Sequence, residues 1–240
     1  MRIVTWNANC RFREKWRAIA ELGADVYVIQ ECENPLTCKG VSDAFRAFAE
    51  RGLWWGERDF KGLGVFAAPG VSLAENQWEV GGHRVFGCVR VNGVLDLLAV
   101  WTKPMGSGSY AAYVRQFLSY HALNAHRFSP EMVVMGDFNS NTQWDGRRWK
   151  DTHRDIVQAL AQNGLVSAYH YVSGEEPGQE SEPSFCRHAG QTKPTILTTP
   201  LPRPLAFVPA GSTTRAIGSR SPTTARLCWN WNDVAGGVLV

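Results

Sequence analysis

No apolar run in this 240-residue sequence approaches the roughly 18–20 residues that span a bilayer, so no membrane-crossing helix is expected. The first residues, Met1-Arg2-Ile3-Val4-Thr5-Trp6, lack the apolar stretch of a secretory signal and read at once as a strand. A cytoplasmic location is the expectation. None of the six cysteines (Cys10, Cys32, Cys38, Cys88, Cys186 and Cys228) forms a CxxC pair or joins a close Cys/His cluster, which leaves a zinc site without support and points to buried, reduced thiols. No internal repeat is visible. What is present is a globular composition, 44% hydrophobic and 20% charged, with length for one α/β domain or two small ones and a sizeable core.

Acidic residues are scarce in one place only. The formal net charge of +3, from 25 Lys+Arg and 22 Asp+Glu, invites a nucleic-acid reading. Residues 194–240 hold four Arg (Arg203, Arg215, Arg220, Arg226), no Lys and no acid except Asp233. Residues 1–193 therefore keep 25 less four basic and 22 less one acidic side chains, 21 of each. The body is neutral, and the whole excess belongs to the last segment, which also carries six of the twelve Pro and seven Thr.

Along the chain, Arg2–Asn7 alternates as a strand, and Arg13–Leu22 places Trp16, Ile19, Ala20 and Leu22 on one helical face closed by Gly23. Asp25–Gln30 reads as a buried strand, and Ser42 caps a helix over Asp43–Arg51 with Gly52 at its C′ position. Strands are expected at Gly64–Ala68 and Val85–Val91, the latter turning at Asn92-Gly93 into Leu95–Thr102. A long helix follows over Ser109–His126, then a short buried strand at Met132–Met135 and a helix over Thr152–Gln162. Ser184–Arg187 could begin a strand. After Lys193 the periodicity dissolves, leaving room for an element only at Leu205–Val208. Alternating strands and helices with a central hairpin give an α/β fold with a mixed sheet and helices outside.

Polar residues gather just past three strand ends: Asn7 and Asn9, Gln30 and Glu31, Asp137 and Asn139. Open α/β sheets bind ligands at such ends, and three clusters from distant stretches point to one composite site. Each alone is as readily an ordinary turn. Together they offer hard oxygen ligands and neutral amide donors without Cys or His, a set suited to Mg²⁺ or Mn²⁺. Trp6-Asn7-Ala8-Asn9, Ile29-Gln30-Glu31 and Gly136-Asp137-Phe138-Asn139-Ser140 resemble, in order and spacing, the successive motifs of the endonuclease/exonuclease/phosphatase superfamily, over residues 1 to about 190. That family includes pancreatic deoxyribonuclease, abasic-site endonucleases, inositol polyphosphate phosphatases and neutral sphingomyelinases.

The resemblance implies a four-layer sandwich of two mixed β-sheets flanked by helices, and hydrolysis of a phosphoester by metal-activated water. By motif, Glu31 is a metal ligand and Asn7 supports the metal. Asp137 orients or deprotonates the attacking water, and Asn139 holds phosphate and water. Gln30 and Ser140 stand behind them as further donors, and Tyr110 and Tyr113 could approach substrate. Mg²⁺ or Mn²⁺ is the implied cofactor, and no organic cofactor is expected. An in-line displacement builds charge on non-bridging oxygens, which a cation and fixed donors stabilise.

Two later motifs of the family, a strand Asp in a context like His-Ile-Asp-Tyr and a C-terminal Ser-Asp-His, are missing. Both reappear when the last base of each codon is joined to the first two of the next. From Pro194 the codons then permit Tyr-His-Ile/Leu-Asp-Tyr, and from Ser221 they permit Ser-Asp-His-Gly-Pro. Across Cys228-Trp229-Asn230-Trp231-Asn232 the shifted reading is forced to Leu-Glu-Leu-Glu, an alternating strand. Residues from about Pro194 are therefore expected to derive from a single-base deletion, with a Pro/Thr-rich tail as the alternative. The expected organisation is a family-like domain over 1–193 and an aberrant segment over 194–240, its C-terminal strands lost or disordered.

His170, His188 and Asp233 are available substitutes for the missing groups, and Arg187 and Lys193 could contact phosphate, but surface roles suit all five. The basic clusters Arg11/Arg13/Lys15/Arg17 and Arg147/Arg148/Lys150 are short and mixed with acids, unlike a duplex-binding stripe. Trp54-Trp55, Trp101, Trp144 and Trp149 suit a core as well as base stacking. The expected partner is a phosphoester, DNA or a small organic phosphate, met by a monomer without a membrane. A catalytically inactive, metal- or phosphate-binding remnant is the second reading.

Overall fold

Strands covered on both faces dominate the chain, and their alternation sets the layers. In a computed structural model, residues 1–103 and 109–181 are described, apart from the side chain of Val172, together with the backbone of 205–209 and 227–230. Strand β1 (Arg2–Asn7) sends Ile3 into one core and Val4 and Trp6 into another, as alternate side chains must. Strand β2 (Val26–Cys32) lies parallel to it and divides Val26 and Val28 from Tyr27 and Ile29 in the same way. The crossover between them is helix α1 (Phe12–Ala20), which buries Phe12 and Ile19 on the sheet. Helix α2 (Asp43–Ala49) packs on the same face, its first turn capped by Ser42 Oγ accepting from Phe45 N at 3.2 Å.

Strands β3 (Gly52–Arg58) and β4 (Lys61–Ala67) form a hairpin that extends this first sheet beyond β2. The sequence predicts a longer α2, over Asp43–Arg51 with Gly52 at its C′ position. The helix instead stops at Ala49, and Gly52 opens β3 against the Phe66 ring, where a Cβ would lie 2.3 Å from it. The second sheet is built from β5 (Leu73–Glu75), β6 (Phe86–Val91), β7 (Leu95–Trp101), β8 (Val133–Asp137) and β9 (Leu165–Ser167). The chain turns where expected, with Asn92 and Gly93 both at positive φ (50° and 70°) and Val94 N donating to Val91 O at 3.0 Å, but the ladder closes on Val91–Leu95, so the connection has three residues rather than the expected two. Helices α3 (Tyr110–Asn124) and α4 (His153–Gln162) cover its outer face, and α5 (Ala168–Ser173) follows β9.

From residues 194–240, two short strands are described. β10 (Leu205–Pro209) lies antiparallel between β8 and β9, and β11 (Leu227–Asn230) antiparallel to β1. The first falls on the one stretch past Lys193 where the sequence left room for an element, and the second overlaps the forced Leu-Glu-Leu-Glu of the shifted reading. The sheet orders are β11-β1-β2-β4-β3 and β5-β6-β7-β8-β10-β9, with β1/β2 and β7/β8 parallel and the other pairs antiparallel. Ile3, Val28, Val65, Val89, Leu97 and Met135 meet between the sheets. The molecule is thus a four-layer sandwich of two mixed sheets flanked by helices. Ser184–Arg187, His188, Lys193 and Asp233 lie outside the described residues.

Candidate active site

Parallel strands β1 and β2 in one sheet and β8 in the other end at the same edge of the sandwich. Asn7, the last residue of β1, shares its face with Ile3 and Thr5 and so points between the sheets. Asp137, the last residue of β8, shares its face with Val133 and Met135 and points back. Their side chains meet, Asn7 Nδ2 donating to Asp137 Oδ2 at 2.7 Å, which ties the two sheets together at this edge. Asn7 Oδ1 accepts from Asn9 N at 2.9 Å, so the amide orientation is set from both ends.

Glu31 arrives by a different device. Strict alternation would place it with Tyr27 and Ile29, under the helices. The β2–β4 register slips between Gln30 and Cys32, and Glu31 has φ 56°, a left-handed bulge residue. The bulge returns Cys32 to the helix-side core and turns Glu31 towards Lys61, whose Nζ lies 3.0 Å from Glu31 Oε2. A non-glycine residue held left-handed costs about 1 kcal/mol or more, and such strain gathers at functional sites. Beneath it, fully buried Gln30 donates to Thr5 Oγ1 at 2.9 Å, while its Oε1 is buried without a partner.

Asn139 also has a left-handed backbone, φ 48°. Its N–H donates to Asp137 Oδ1 at 3.0 Å and its Nδ2 to Thr102 O at 2.8 Å. Next to it, Ser140 Oγ and His153 Nδ1 are 2.7 Å apart, both buried, and burial pushes the imidazole down to about 4, so it is neutral at physiological pH. The Tyr110 hydroxyl sits 2.8 Å from Asn141 O and 2.9 Å from Asp145 Oδ1. Asp145 accepts in turn from the His153 and Arg154 N–H groups that open α4. Tyr110 therefore anchors the loop after β8. The Tyr113 hydroxyl is held above its usual pKa, first by burial and then by the charges of Asp137 and Glu31.

Burial pushes the Asp137 carboxyl from its usual 3.8 up to about 6, with Glu31 adding to the rise and the Asn7 and Asn139 hydrogen bonds opposing it. A carboxyl that is harder to ionise when folded weakens the fold as pH climbs from the unfolded pKa to the folded one, a change on the order of 3 kcal/mol complete above about pH 6. Asp137→Asn, melted in chelator, is expected to raise stability at about pH 7.5 and to show most of that gain gone at about pH 4. An equal effect at both would show that the burial of charge is not its cause.

Asn7, Asp137 and Asn139 are thus joined directly and Glu31 stands beside them. Lys61, which the sequence reading did not single out, belongs to the same group, and only the long-range pairing of β2 with β4 brings it there. Most of the other highlighted residues serve structure. Arg11 pairs with Glu14 and Arg13 with Glu33, Lys15 Nζ caps the carbonyls of Ala8 (2.6 Å) and Cys10 (2.9 Å), and Arg17 lies over Trp16. Trp54 and Trp55 pack against the two cores and Trp144 is half-buried, whereas Trp149, Arg147, Arg148 and Lys150 are exposed. His170 bonds Ser167 and Glu180 (2.7 and 3.1 Å).

No family model matches the sequence, and no curated protein matches it. Solved structures share the fold. A 3′-5′ exonuclease from Neisseria meningitidis is 16% identical with a TM-score of 0.58, covering 95% of this chain and 98% of its own. An AP endonuclease from Archaeoglobus fulgidus is 13% identical with a TM-score of 0.62 over the same shares. An endonuclease/exonuclease/phosphatase from Beutenbergia cavernae is 15% identical with a TM-score of 0.59, covering 95% of this chain and 70% of its own. At these identities the likeness establishes the fold.

Proposed function

We propose that this chain descends from phosphoester hydrolases of the endonuclease/exonuclease/phosphatase superfamily and retains the part of the site that places a divalent cation, a phosphoester and water. The observation that carries the reading is the Asn7–Asp137 bond between the sheets, with Asn139 on one side and a bulge-borne Glu31 on the other. The fold shared with an exonuclease and an AP endonuclease supports it. DNA or a small organic phosphate is the substrate class, and a neutral body favours neither.

The donor set fits Mg²⁺ or Mn²⁺. Every donor is an oxygen, and the Lys61 ammonium already occupies a cation's place on Glu31. Among the described residues no three His, Cys, Asp or Glu gather as a metal cage; Mg²⁺ is commonly held by one or two carboxylates, with water and substrate phosphate for the rest. Glu31, with Asn7 beside it, would hold the ion. When bound, the ion polarises a phosphoryl oxygen as a Lewis acid. Asp137, mainly ionised at neutral pH despite its raised pKa, accepts a proton from the attacking water. The Asn139 amide, fixed through Asp137 and Thr102, donates to a phosphate oxygen.

Residues 194–240 contain no His and one acid, and this favours a second reading for the chain as it stands, a metal- and phosphate-binding remnant with little turnover. The two readings share the half-site and differ in the segment after Lys193, which we take to be out of frame. Mg²⁺ at about ten times its Kd is expected to stabilise the chain by about 1.4 kcal/mol, a few degrees in melting temperature, and Glu31→Gln to lose that shift. An equal shift in the variant, or none in the parent, contradicts the half-site.

A further inference from the structure

Lys61 opens β4, where Gly62 stands opposite Cys32, so the lysine and the Glu31 bulge share one end of the first sheet. Its Nζ is 3.0 Å from Glu31 Oε2 and 5.5 Å from the centre of the Trp101 ring. Trp101 belongs to the second sheet, directly opposite Asp137 in the β7–β8 ladder. The ammonium thus stands between the carboxylate of one sheet and the indole of the other, at the mouth of the candidate site. The Lys61 side chain is 36% exposed and that of Glu31 17%, so the pair is accessible without being freely solvated. Lysine suits a displaceable cation: a point charge on a flexible stem, with three rotatable donors and no fixed fork.

We propose that Lys61 is the resident counter-cation of Glu31 in the metal-free chain, that a divalent ion must displace it, and that the displaced ammonium then binds the substrate phosphate. The inference rests on the metal reading of Glu31 given above and adds the order of events and a phosphate-binding role for a residue outside the three motifs. Two cations on one carboxylate repel, so removing the ammonium frees Glu31 for the metal. The same removal takes a positive charge from the phosphate. A merely structural role would weaken both ligands or neither. Competition with phosphate assistance moves them in opposite directions.

The test uses the full chain without an organic substrate. Free Mn²⁺ is followed by electron paramagnetic resonance at low ionic strength, and inorganic phosphate is then titrated into the Mn²⁺-saturated protein. Lys61→Met is expected to bind Mn²⁺ about fivefold more tightly, matching the roughly 1 kcal/mol of a partly exposed ion pair, and phosphate about fivefold more weakly. Lys61→Arg, which keeps the charge and can fork onto Glu31, should bind Mn²⁺ no more tightly than the parent and keep phosphate binding within about twofold of it, with melting curves confirming that each variant folds. If Lys61→Met leaves Mn²⁺ or phosphate affinity unchanged, or weakens both, the role of Lys61 is overturned. Should Glu31→Gln still lose Mn²⁺ binding in that case, the metal reading stands alone. If Glu31→Gln binds Mn²⁺ like the parent, both are overturned.

Discussion

Inserting one base at about codon 194, so that the following codons are read in the shifted register, is expected to raise Mg²⁺-dependent hydrolysis of bis(p-nitrophenyl) phosphate by about a thousandfold or more. The chain as it stands should turn over this substrate barely above background. Groups that act as a unit in catalysis commonly cost several orders of magnitude when removed. The half-site keeps Asn7, Glu31, Asp137 and Asn139, and among the described residues no histidine hydrogen-bonds any of these four. The shifted codons permit a strand Asp and a Ser-Asp-His, the residue types the resemblance calls for. The gain should vanish with chelator and with Glu31→Ala introduced into the restored chain. A restored chain that folds and is no faster would show that the segment after Lys193 is not the missing part of the site. So would appreciable turnover by the unrestored chain that Glu31→Ala abolishes.

Gly136→Ala should cost about 4 kcal/mol or more, enough to unfold a domain of ordinary marginal stability. A Cβ at Gly136 would lie 1.9 Å from the Val100 carbonyl oxygen and within 2.9 Å of Val100 C and N. All three are backbone atoms of the ladder partner, since Val100 pairs with Gly136, so relief requires opening the β7–β8 pairing rather than moving a side chain. The φ of 141° adds strain for any residue with a Cβ. This close approach is what sets Asp137 opposite Trp101 and within reach of Asn7. Denaturant unfolding measures the effect. A loss below about 1 kcal/mol would mean that the strands separate easily, and that Asp137 is not held by the ladder.

Much of this was legible in the sequence, for reasons that differ by element. β1, β2 and β8 stand out because apolar runs of strand length end in amides and carboxylates, and those ends are the site. α1 and α4 show themselves by apolar spacing and closing glycines. β3 was hidden, since Trp54-Trp55-Gly56-Glu57-Arg58 neither alternates cleanly nor is framed by turn residues, and Gly52 imitates a helix terminus. α5 escaped because six residues are too few to show a helical period. The aim of Glu31 could not be read locally. Alternation gives the wrong face, and only the bulge in the β2–β4 register corrects it. Lys61 was invisible for the same kind of reason, its partner lying 30 positions away across a sheet.

The +3 charge changes its meaning in this light. It arises wholly from the composition of residues 194–240, while the body that carries the half-site is neutral; in that body the Arg11–Arg17 cations are engaged and Arg147, Arg148 and Lys150 are exposed. The coding nucleotide sequence tests most directly whether, as we propose, a phosphoester hydrolase has lost the last part of its site from the reading frame. The triplets formed across codons 194–199 should contain His-x-Asp and those across codons 221–224 should read Ser-Asp-His, with the forced Leu-Glu-Leu-Glu further on. Triplets there that encode neither motif would contradict the claim and leave a Pro/Thr-rich tail in its place.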